Sequence, residues 1–183
     1  MQREAESGVT LLMTLMTMLL LSALVAALVL LTSTEALIAA TFRGGREAFY
    51  AAEGVGEWSI GALTTMIDEW TAIGAGLKAS TFVDGLPAGP RVLAGEAVVD
   101  LTAVASANPA WHLFAYGSFS DLVRSPRGSS FYVVSLVAQD PAGLDNIRVR
   151  AMAFGPRGAR RMVELTLARS PRGVHVLSWA ALP

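Results

Sequence analysis

The sequence contains an uninterrupted apolar run near its N-terminus, from Val9 to Leu31, with no charged residue, proline or glycine. At about 23 residues, the run would form a helix of roughly 35 Å, enough to cross the hydrocarbon core of a bilayer. A buried helix of a soluble domain seldom stays apolar on every face over such a length. The run therefore predicts a single transmembrane helix.

A cleavable secretory signal peptide is the alternative explanation of this run. Signal peptides have an apolar region of about 7–15 residues that ends in small residues at the cleavage site. The run here is longer, and the segment Ser33–Phe42 continues in residues that favour helix. We therefore favour a retained membrane helix, with cleavage after Ala40 as the alternative.

The rest of the 183-residue chain leaves room for one modest domain beyond the helix and its extension. The absence of cysteine excludes disulfides, thiolate metal sites and cysteine nucleophiles. The net charge of −1 conceals an uneven distribution, since acids dominate from Glu47 to Asp121 and arginines dominate from Arg124 onward. Because the arginines are dispersed, we favour contact between oppositely charged halves or subunits over a polyanionic partner.

Small and hydroxyl-bearing residues recur at helical spacing within the apolar run. Three threonines lie at positions i, i+4 and i+7 of one face, and two serine or alanine pairs are spaced four residues apart. Small residues let helices approach closely in lipid, although they are also tolerated in a lone span. The predicted transmembrane packing residues are Thr10, Thr14, Thr17, Ser22, Ala23, Ala26 and Ala27.

Helical periodicity continues beyond the membrane and then gives way to strands. We predict an amphipathic helix that passes Gly44-Gly45 with a bend or weak point, reaches toward Trp70 and stops before Gly74. Period-two alternation and β-branched residues then predict strands in the following segments. They are Ala97–Thr102, Trp111–Phe119, Phe131–Val137, Ile147–Phe154, Met162–Leu167 and Val174–Trp179.

Three similar motifs predict type I turns between the later strands, with proline second and glycine fourth. They are Ser125–Gly128, Gly155–Gly158 and Ser170–Gly173. Short connections imply antiparallel neighbours. The predicted fold class is therefore α+β, in which a long N-terminal helix, half transmembrane and half amphipathic, packs on a C-terminal antiparallel β-sheet of four or five strands. The predicted organisation is a leader (1–8), a transmembrane helix (9–31), an amphipathic extension (32–73), a connecting loop region (74–109) and a β domain (110–183).

The sequence offers no pattern typical of catalysis. His112 and His175 lie in separate strands without further ligands at metal-binding spacing, and Asp68 and Glu69 are adjacent on a helix and so face different ways. No phosphate-binding loop is present, and no aromatic platform accompanies the arginine-bearing strands, which disfavours nucleic acid. We expect no metal, no cofactor and no enzymatic activity; a catalytic site assembled from residues distant in sequence is the least favoured alternative.

The arginines of the last strands are a candidate interaction surface. Arg148 and Arg150 share one face of a predicted strand, and Arg157, Arg160 and Arg161 lie in or beside the adjoining turn. Such a surface would bind an acidic neighbouring protein with a strength that falls as salt rises.

A short leader that ends in glycine, an apolar helix that begins at the next residue, and a later antiparallel sheet together resemble a type IV pilin. The segment Glu6-Ser-Gly-Val-Thr-Leu-Leu12 resembles the processing site of this family. Thr34-Glu-Ala-Leu37 and Arg46-Glu-Ala-Phe-Tyr-Ala-Ala-Glu53 resemble the N-terminal region of PilX-like minor pilins, and the hairpin Arg148–Glu164 is similar to theirs. The N-terminal resemblance covers roughly a third of the chain.

Two features depart from the usual pilin pattern. The leader carries Glu4 and Glu6, although pilin leaders are usually basic. Met13 occupies the fifth position after the processing site, where most pilins have a glutamate and several minor pilins and pseudopilins do not. The resemblance therefore implies a low-copy, tip-proximal subunit.

The resemblance also implies partners and a location. Prepilin peptidase would cut between Gly8 and Val9, and Val9 would be methylated. The protein would be a single-pass inner-membrane protein, with its C-terminal domain periplasmic or extracellular, and would contact other minor pilins and the major pilin of a type IV pilus or a type II secretion pseudopilus. The alternative is a signal-anchored extracytoplasmic binding domain that keeps its leader and never polymerises.

Overall fold

The computed structural model describes residues 2–93, 97–124 and 129–182, with the backbone alone for residues 2–8. The chain forms two compact units that divide between Phe42 and Arg43, termed here the N-terminal unit and the C-terminal unit. Helix α1 (Gln2–Thr65) supplies the described residues of the N-terminal unit and begins the C-terminal unit.

The N-terminal unit is an apolar helix whose described side chains are exposed from Val9 to Ala39. The part of α1 that begins at Val9 is the one helix among the described residues that is long and apolar enough to cross a membrane. The long apolar N-terminal helix, compatible with a single membrane span, is therefore confirmed.

The C-terminal unit continues α1 without interruption across Gly44-Gly45, as predicted. The long helix ends at Thr65 rather than near Trp70, because Met66 leaves the helical region and a 3₁₀ turn (Ile67–Glu69) follows. A short helix α2 (Trp70–Gly74) then buries Trp70 and Ile73.

The end of α2 follows the rules of a glycine-terminated helix. The amide of Gly76 donates to the carbonyl of Ile73, and the amide of Leu77 donates to that of Ala72, both at 2.9 Å. This pair of bonds is the Schellman motif, which places the residue after the helix in the left-handed region. Gly76 has φ of +74°, a conformation that glycine adopts without steric cost.

The sheet confirms the predicted α+β class, with five strands in one antiparallel meander whose spatial order follows the sequence. Its strands are β3 (His112–Ser118), β4 (Tyr132–Gln139), β5 (Asn146–Phe154), β6 (Arg160–Ser170) and β7 (Gly173–Leu182). A separate hairpin pairs β1 (Pro90–Val92) with β2 (Val98–Asp100). Helices α3 (Leu101–Ser106) and α4 (Phe119–Leu122) complete the unit.

One face of the five-stranded sheet packs against the C-terminal part of α1. The helix contributes mostly small residues to this core, including Ala48, Ala52 and Val55. A Cβ atom added to Gly54 would lie 2.9 Å from the ring of Phe119, so glycine there allows a close approach that a larger residue would prevent. Gly54, and Gly56 beside Leu165 of β6, are therefore packing positions as well as helix-weakening ones.

A buried hydroxyl pair joins the helix to the middle of the sheet. Ser59 on α1 and Ser135 on β4 are both fully buried, and their Oγ atoms are 2.8 Å apart. The Ser59 hydroxyl also lies 2.7 Å from the carbonyl of Val55 and donates to it. Since buried polar atoms are costly without partners, this pair favours one alignment of helix and strand.

A second core covers the opposite face of the sheet, which the sequence analysis did not predict. It joins Val99 of β2 and Leu101 of α3 to Trp111 and to residues of β4 such as Val134 and Leu136. The strand β4 is consequently buried on both faces. Its continuous apolar sequence from Phe131 to Val137 is typical of a strand covered on both sides and was the available signal.

Two local predictions were wrong. The strand predicted over Ala97–Thr102 ends at Asp100, because the Asp100 carboxylate accepts hydrogen bonds from the amides of Thr102 and Ala103 and caps α3.

The type I turn predicted at Gly155–Gly158 is instead a five-residue connection. It is closed by hydrogen bonds between Gly155 and Ala159 and between Ala159 and Pro156. The longer loop places Arg157 at φ of +56°, which a type I turn does not contain. The turn predicted at Ser125–Gly128 lies outside the described residues.

Candidate interaction surfaces

The apolar surface of the N-terminal unit extends beyond the predicted span. After the polar residues Thr32–Glu35, the side chains of Leu37, Ile38 and Phe42 are 67%, 63% and 68% exposed. From Val9 to Phe42 the helix measures about 51 Å. A hydrocarbon core of about 30 Å accommodates only about 39 Å of helix, even at a tilt of about 40°. The hydrocarbon core alone therefore does not cover the last apolar residues of this helix.

The predicted transmembrane packing residues all lie exposed on this helix, but the hydroxyl groups of Thr14 and Thr17 have local partners. Thr14 donates to the carbonyls of Thr10 and Leu11 at 2.9 and 2.8 Å. Thr17 donates to those of Met13 and Thr14 at 2.7 and 3.0 Å. Since Thr14 and Thr17 are satisfied within the helix, helix packing at this face would depend on small side chains and close approach.

The stripe of small residues follows one turn further along. Ser22, Ala23, Ala26 and Ala27 are all exposed in the N-terminal unit. Their spacing lets a neighbouring helix approach the backbone closely in lipid. The seven predicted packing residues are thus all exposed on the N-terminal helix.

The predicted processing site lies at the limit of the described side chains. Val9 and Met13 are exposed helical residues. Gly8 belongs to the stretch for which only the helical backbone is described, and the side chains of Glu4 and Glu6 lie outside the described residues.

The arginines of β5 are bound within the C-terminal unit. Arg150 donates to Glu164 through Nη2 at 2.7 Å and through Nε at 3.1 Å. The guanidinium carbons of Arg150 and Arg148 lie 4.2 and 5.2 Å from the centre of the Trp111 ring, within the range of cation–π attraction. These two arginines therefore cover the buried Trp111, a role that sequence spacing did not indicate.

The remaining three predicted arginines are exposed. Arg160 lies over the ring of Phe154, with 5.3 Å between the guanidinium carbon and the ring centre. Arg161 donates to the carbonyl of Arg160 at 2.9 Å, and Arg157 occupies the turn before them. The structure thus divides the predicted surface into an internal pair and an exposed trio.

A polar cluster that the sequence analysis missed fixes the loop before β1. The Asp84 carboxylate accepts hydrogen bonds from Arg91 at 2.6 and 3.1 Å, from the hydroxyl of Tyr132 at 2.7 Å and from the amide of Leu86 at 3.1 Å. Arg91 also donates to the carbonyl of Pro87 at 2.9 Å. The cluster joins the loop to β1 and β4, and we assign it a structural role.

The same contacts shift the pKa values of Asp84 and Tyr132. The Arg91 guanidinium, by its hydrogen bonds, holds the pKa of Asp84 below its usual value, and Tyr132 adds to the effect. Burial, and then the neighbouring Asp84, raises the pKa of the Tyr132 phenol. Asp84 therefore stays ionised and Tyr132 neutral through the physiological range.

Loss of the Asp84 charge should make the C-terminal unit less stable above the ordinary aspartate pKa of about 3.9. We expect Asp84→Asn to lower the free energy of unfolding by about 2 kcal/mol near neutral pH, the range of hydrogen bonds to charged groups. Because the folded pKa is depressed, this contribution is present above the unfolded pKa and disappears as the pH falls through the folded pKa. Urea unfolding at a series of pH values measures it.

The matched control for this prediction is Asp145→Asn. Asp145 pairs with Arg169 at 2.8 Å, but its side chain is 70% exposed, so its removal should cost less than about 1 kcal/mol. Equal losses for the two variants, or a loss for Asp84→Asn that persists unchanged below pH 3, would contradict the assignment.

Among the described residues, neither His112 nor His175 belongs to a cluster of potential metal ligands. The Nε2 atom of His175 lies 2.7 Å from the Oγ of Ser170, and the ring of His112 lies against Gly76. Within the part of the chain that the structure describes, no group of three or more His, Asp or Glu side chains is placed to hold a metal ion.

Comparisons of this chain with protein-family models, curated proteins and solved structures give no match. The molecule presents two exposed surfaces that could contact a partner, one apolar on the N-terminal helix and one basic on the sheet.

Proposed function

We propose that the protein is a minor pilin or pseudopilin, a structural subunit that helps to initiate or cap a type IV pilus or a type II secretion pseudopilus. The observation that supports this most is the length of exposed apolar helix. Leu37, Ile38 and Phe42 lie beyond what the hydrocarbon core covers, and other apolar helices packed side by side would bury them. A plain membrane anchor has no need of such residues.

The sequence resemblance supports the same function. The processing-site segment at residues 6–12 and the segments at residues 34–37 and 46–53 resemble PilX-like minor pilins. On this proposal the leader stays in the cytoplasm, prepilin peptidase removes it, and the C-terminal unit lies outside the inner membrane. The partners are other minor pilins and the major pilin.

Met13 gives the proposed subunit its place in the filament. A carboxylate at this depth is costly in hydrocarbon unless it meets an opposite charge, such as the free amino terminus of a neighbouring subunit. Methionine removes both the cost and the attraction. The subunit can then rest in the bilayer without a partner ahead of it, which suits a low-copy initiating or tip-proximal role.

The exposed arginines provide the proposed contact outside the membrane. Arg157, Arg160 and Arg161 would meet an acidic surface on a neighbouring subunit, while Arg148 and Arg150 are engaged with Trp111 and Glu164 and contribute less. Binding through these exposed residues would weaken as salt rises.

Processing at Gly8 is the first experimental test. Intact-mass analysis of membrane-extracted protein from its native host should show loss of the first eight residues and one added methyl group on Val9. A Gly8→Leu variant in the same host should keep its leader, because bulk at this position would block the cut. A full-length mass for the unaltered protein, in a host that processes its other prepilins, would contradict the proposal and favour the non-polymerising anchor.

A further inference from the structure

The two edges of the five-stranded sheet differ in whether another segment of the chain pairs with them. At the β3 edge, the extended segment Ser80–Val83 lies alongside the strand. The amide of Ser80 donates to the carbonyl of Phe114 at 2.8 Å, and the amide of Tyr116 donates to that of Phe82 at 3.1 Å. Val83 forms a parallel bridge with Tyr116. This edge is therefore covered by the chain's own backbone.

The β7 edge has no such cover within the described residues, where β7 pairs only with β6. The strand spans Gly173–Leu182, and from Val174 to Leu182 it contains no proline, lysine, arginine, aspartate or glutamate. Proteins usually protect a free edge with charges, proline or a very short strand, because its free amide and carbonyl groups pair readily with another strand. Within β7, the one feature that would hinder such pairing is a bulge near Leu177.

The side chains of this edge are apolar and exposed. Val176, Leu177 and Trp179 are 49%, 59% and 48% exposed. The Trp179 ring lies edge-on to Phe49 of α1, with 6.1 Å between ring centres, and Phe49 in turn contacts Tyr50 at 5.9 Å. The apolar surface therefore continues from the edge strand onto the helix of the same unit.

Arginines lie at both ends of the edge strand. Arg172 precedes β7, while Arg160 and Arg161 begin β6 beside the end of β7, where Met162 pairs with Leu182. No described carboxylate lies within ion-pair distance of these three arginines. The edge is thus an apolar strand with an unpaired positive charge at each end.

The arginines at both ends of β7 distinguish two possible partners for this edge, a second copy of this chain and an extended segment of another protein. If two copies paired through β7 in antiparallel fashion, Arg172 of one copy would approach Arg160 and Arg161 of the other. In a parallel pair, Arg172 would approach Arg172. Either arrangement juxtaposes like charges, which costs affinity. An extended segment with acidic residues at its ends meets no such repulsion.

We infer that the β7 edge docks an extended segment of another protein by strand addition. Main-chain hydrogen bonds along Val174–Leu182 would supply the affinity, and alternate apolar side chains of the segment would lie against Trp179 and Phe49. Acidic residues at both ends of the segment would pair with Arg172 and with Arg160 and Arg161. This inference concerns the C-terminal unit and does not depend on the pilin proposal.

The test uses synthetic peptides and the full-length protein in detergent micelles. The first peptide has an alternating Val/Thr core with two glutamates at each end, the second has lysines in place of the glutamates, and the third has a proline at the centre of the acidic version. We expect the acidic peptide to slow amide hydrogen exchange in β7 and to bind at least tenfold more tightly than the lysine peptide at low salt. The proline peptide should bind at least tenfold more weakly than the acidic one.

Variants assign the effect to named residues. Joint reversal of Arg160, Arg161 and Arg172 to glutamate should make the lysine peptide the preferred one. Leu177→Lys should weaken binding of the acidic peptide, while Leu144→Lys, at a similarly exposed leucine in the β4–β5 connection, should leave it unchanged.

Three results would overturn the inference. The first is unchanged β7 exchange at saturating acidic peptide, and the second is equal affinity for the acidic and lysine peptides. The third is protection of β7 that depends on protein concentration without any peptide, which would identify a second copy as the occupant. The comparison of peptides on the unaltered protein stands even if a variant fails to fold.

Discussion

Replacement of Trp70 by alanine is expected to lower the free energy of unfolding of the C-terminal unit by about 3–5 kcal/mol, the range for large aromatic residues removed from cores. Trp70 is fully buried, and with Ile73 it brings α2 into the core beneath the sheet. A loss of this size is a large part of the 5–15 kcal/mol that stabilises an ordinary domain. Urea unfolding followed by near-ultraviolet circular dichroism measures it.

Trp179 provides a matched control for this prediction. Its side chain is 48% exposed on the β7 edge, so Trp179→Ala should cost less than about 1.5 kcal/mol, since less apolar area is returned to water. Trp70→Phe should cost less than Trp70→Ala, because phenylalanine keeps most of the apolar volume and the indole Nε1 of Trp70 has no hydrogen-bond partner among the described residues. Similar losses for Trp70→Ala and Trp179→Ala would contradict the assigned core.

Local sequence patterns were sufficient to predict the helix and most of the sheet. The alternation of Ile147, Val149 and Ala151 with Arg148 and Arg150 separates a buried face from a polar one. Each strand from β3 to β7 lies where its apolar pattern predicted it, because strand and helix periodicities are encoded by neighbouring residues.

Contacts between distant residues were not predictable in the same way. Asp84 and Tyr132 are 48 positions apart, and no local pattern connects them. The stacking of Arg150 on Trp111 depends on the second core, which forms only when the β1–β2 hairpin and α3 fold over the sheet. Arg148 and Arg150 were therefore predicted to form a free surface, although their side chains are largely covered in the structure.

One missed element did have a local signal. Asp100 followed by Leu101–Ser106 is a helix-capping residue before a run of helix-tolerant residues. The β-branched residues Val98 and Val99 favour a strand, and the strand was predicted to run to Thr102, two residues beyond its end at Asp100. The cap decides the boundary because its carboxylate satisfies two amides at the start of α3.

If the protein is a filament subunit, introduction of charge into the exposed apolar segment of the N-terminal unit should strongly reduce its assembly. We expect Leu37→Asp combined with Ile38→Asp to reduce incorporation into filaments or minor-pilin complexes at least tenfold, because two carboxylates would be buried without partners between packed helices. Membrane levels should be unchanged, since the run from Val9 to Leu31 remains intact. Quantitative mass spectrometry of purified filaments and of total membranes gives both values.

Leu77→Asp is the matched control for this variant. Leu77 is 81% exposed, three residues after the end of α2, so a carboxylate there stays in water and assembly should continue. Equal incorporation of the Leu37/Ile38 double variant and the unaltered protein would show that this segment is not packed against other subunits.

On the proposed function, this chain is a low-copy filament subunit rather than a plain membrane anchor. Subunit counting by quantitative mass spectrometry, in filaments and minor-pilin complexes purified from the native host, distinguishes these two roles. We expect the processed protein to be present in both, at a small fraction of the main subunit and together with other minor pilins. Absence from filaments and from every minor-pilin complex would contradict the account, and a copy number near that of the main subunit would contradict the tip-proximal role inferred from Met13.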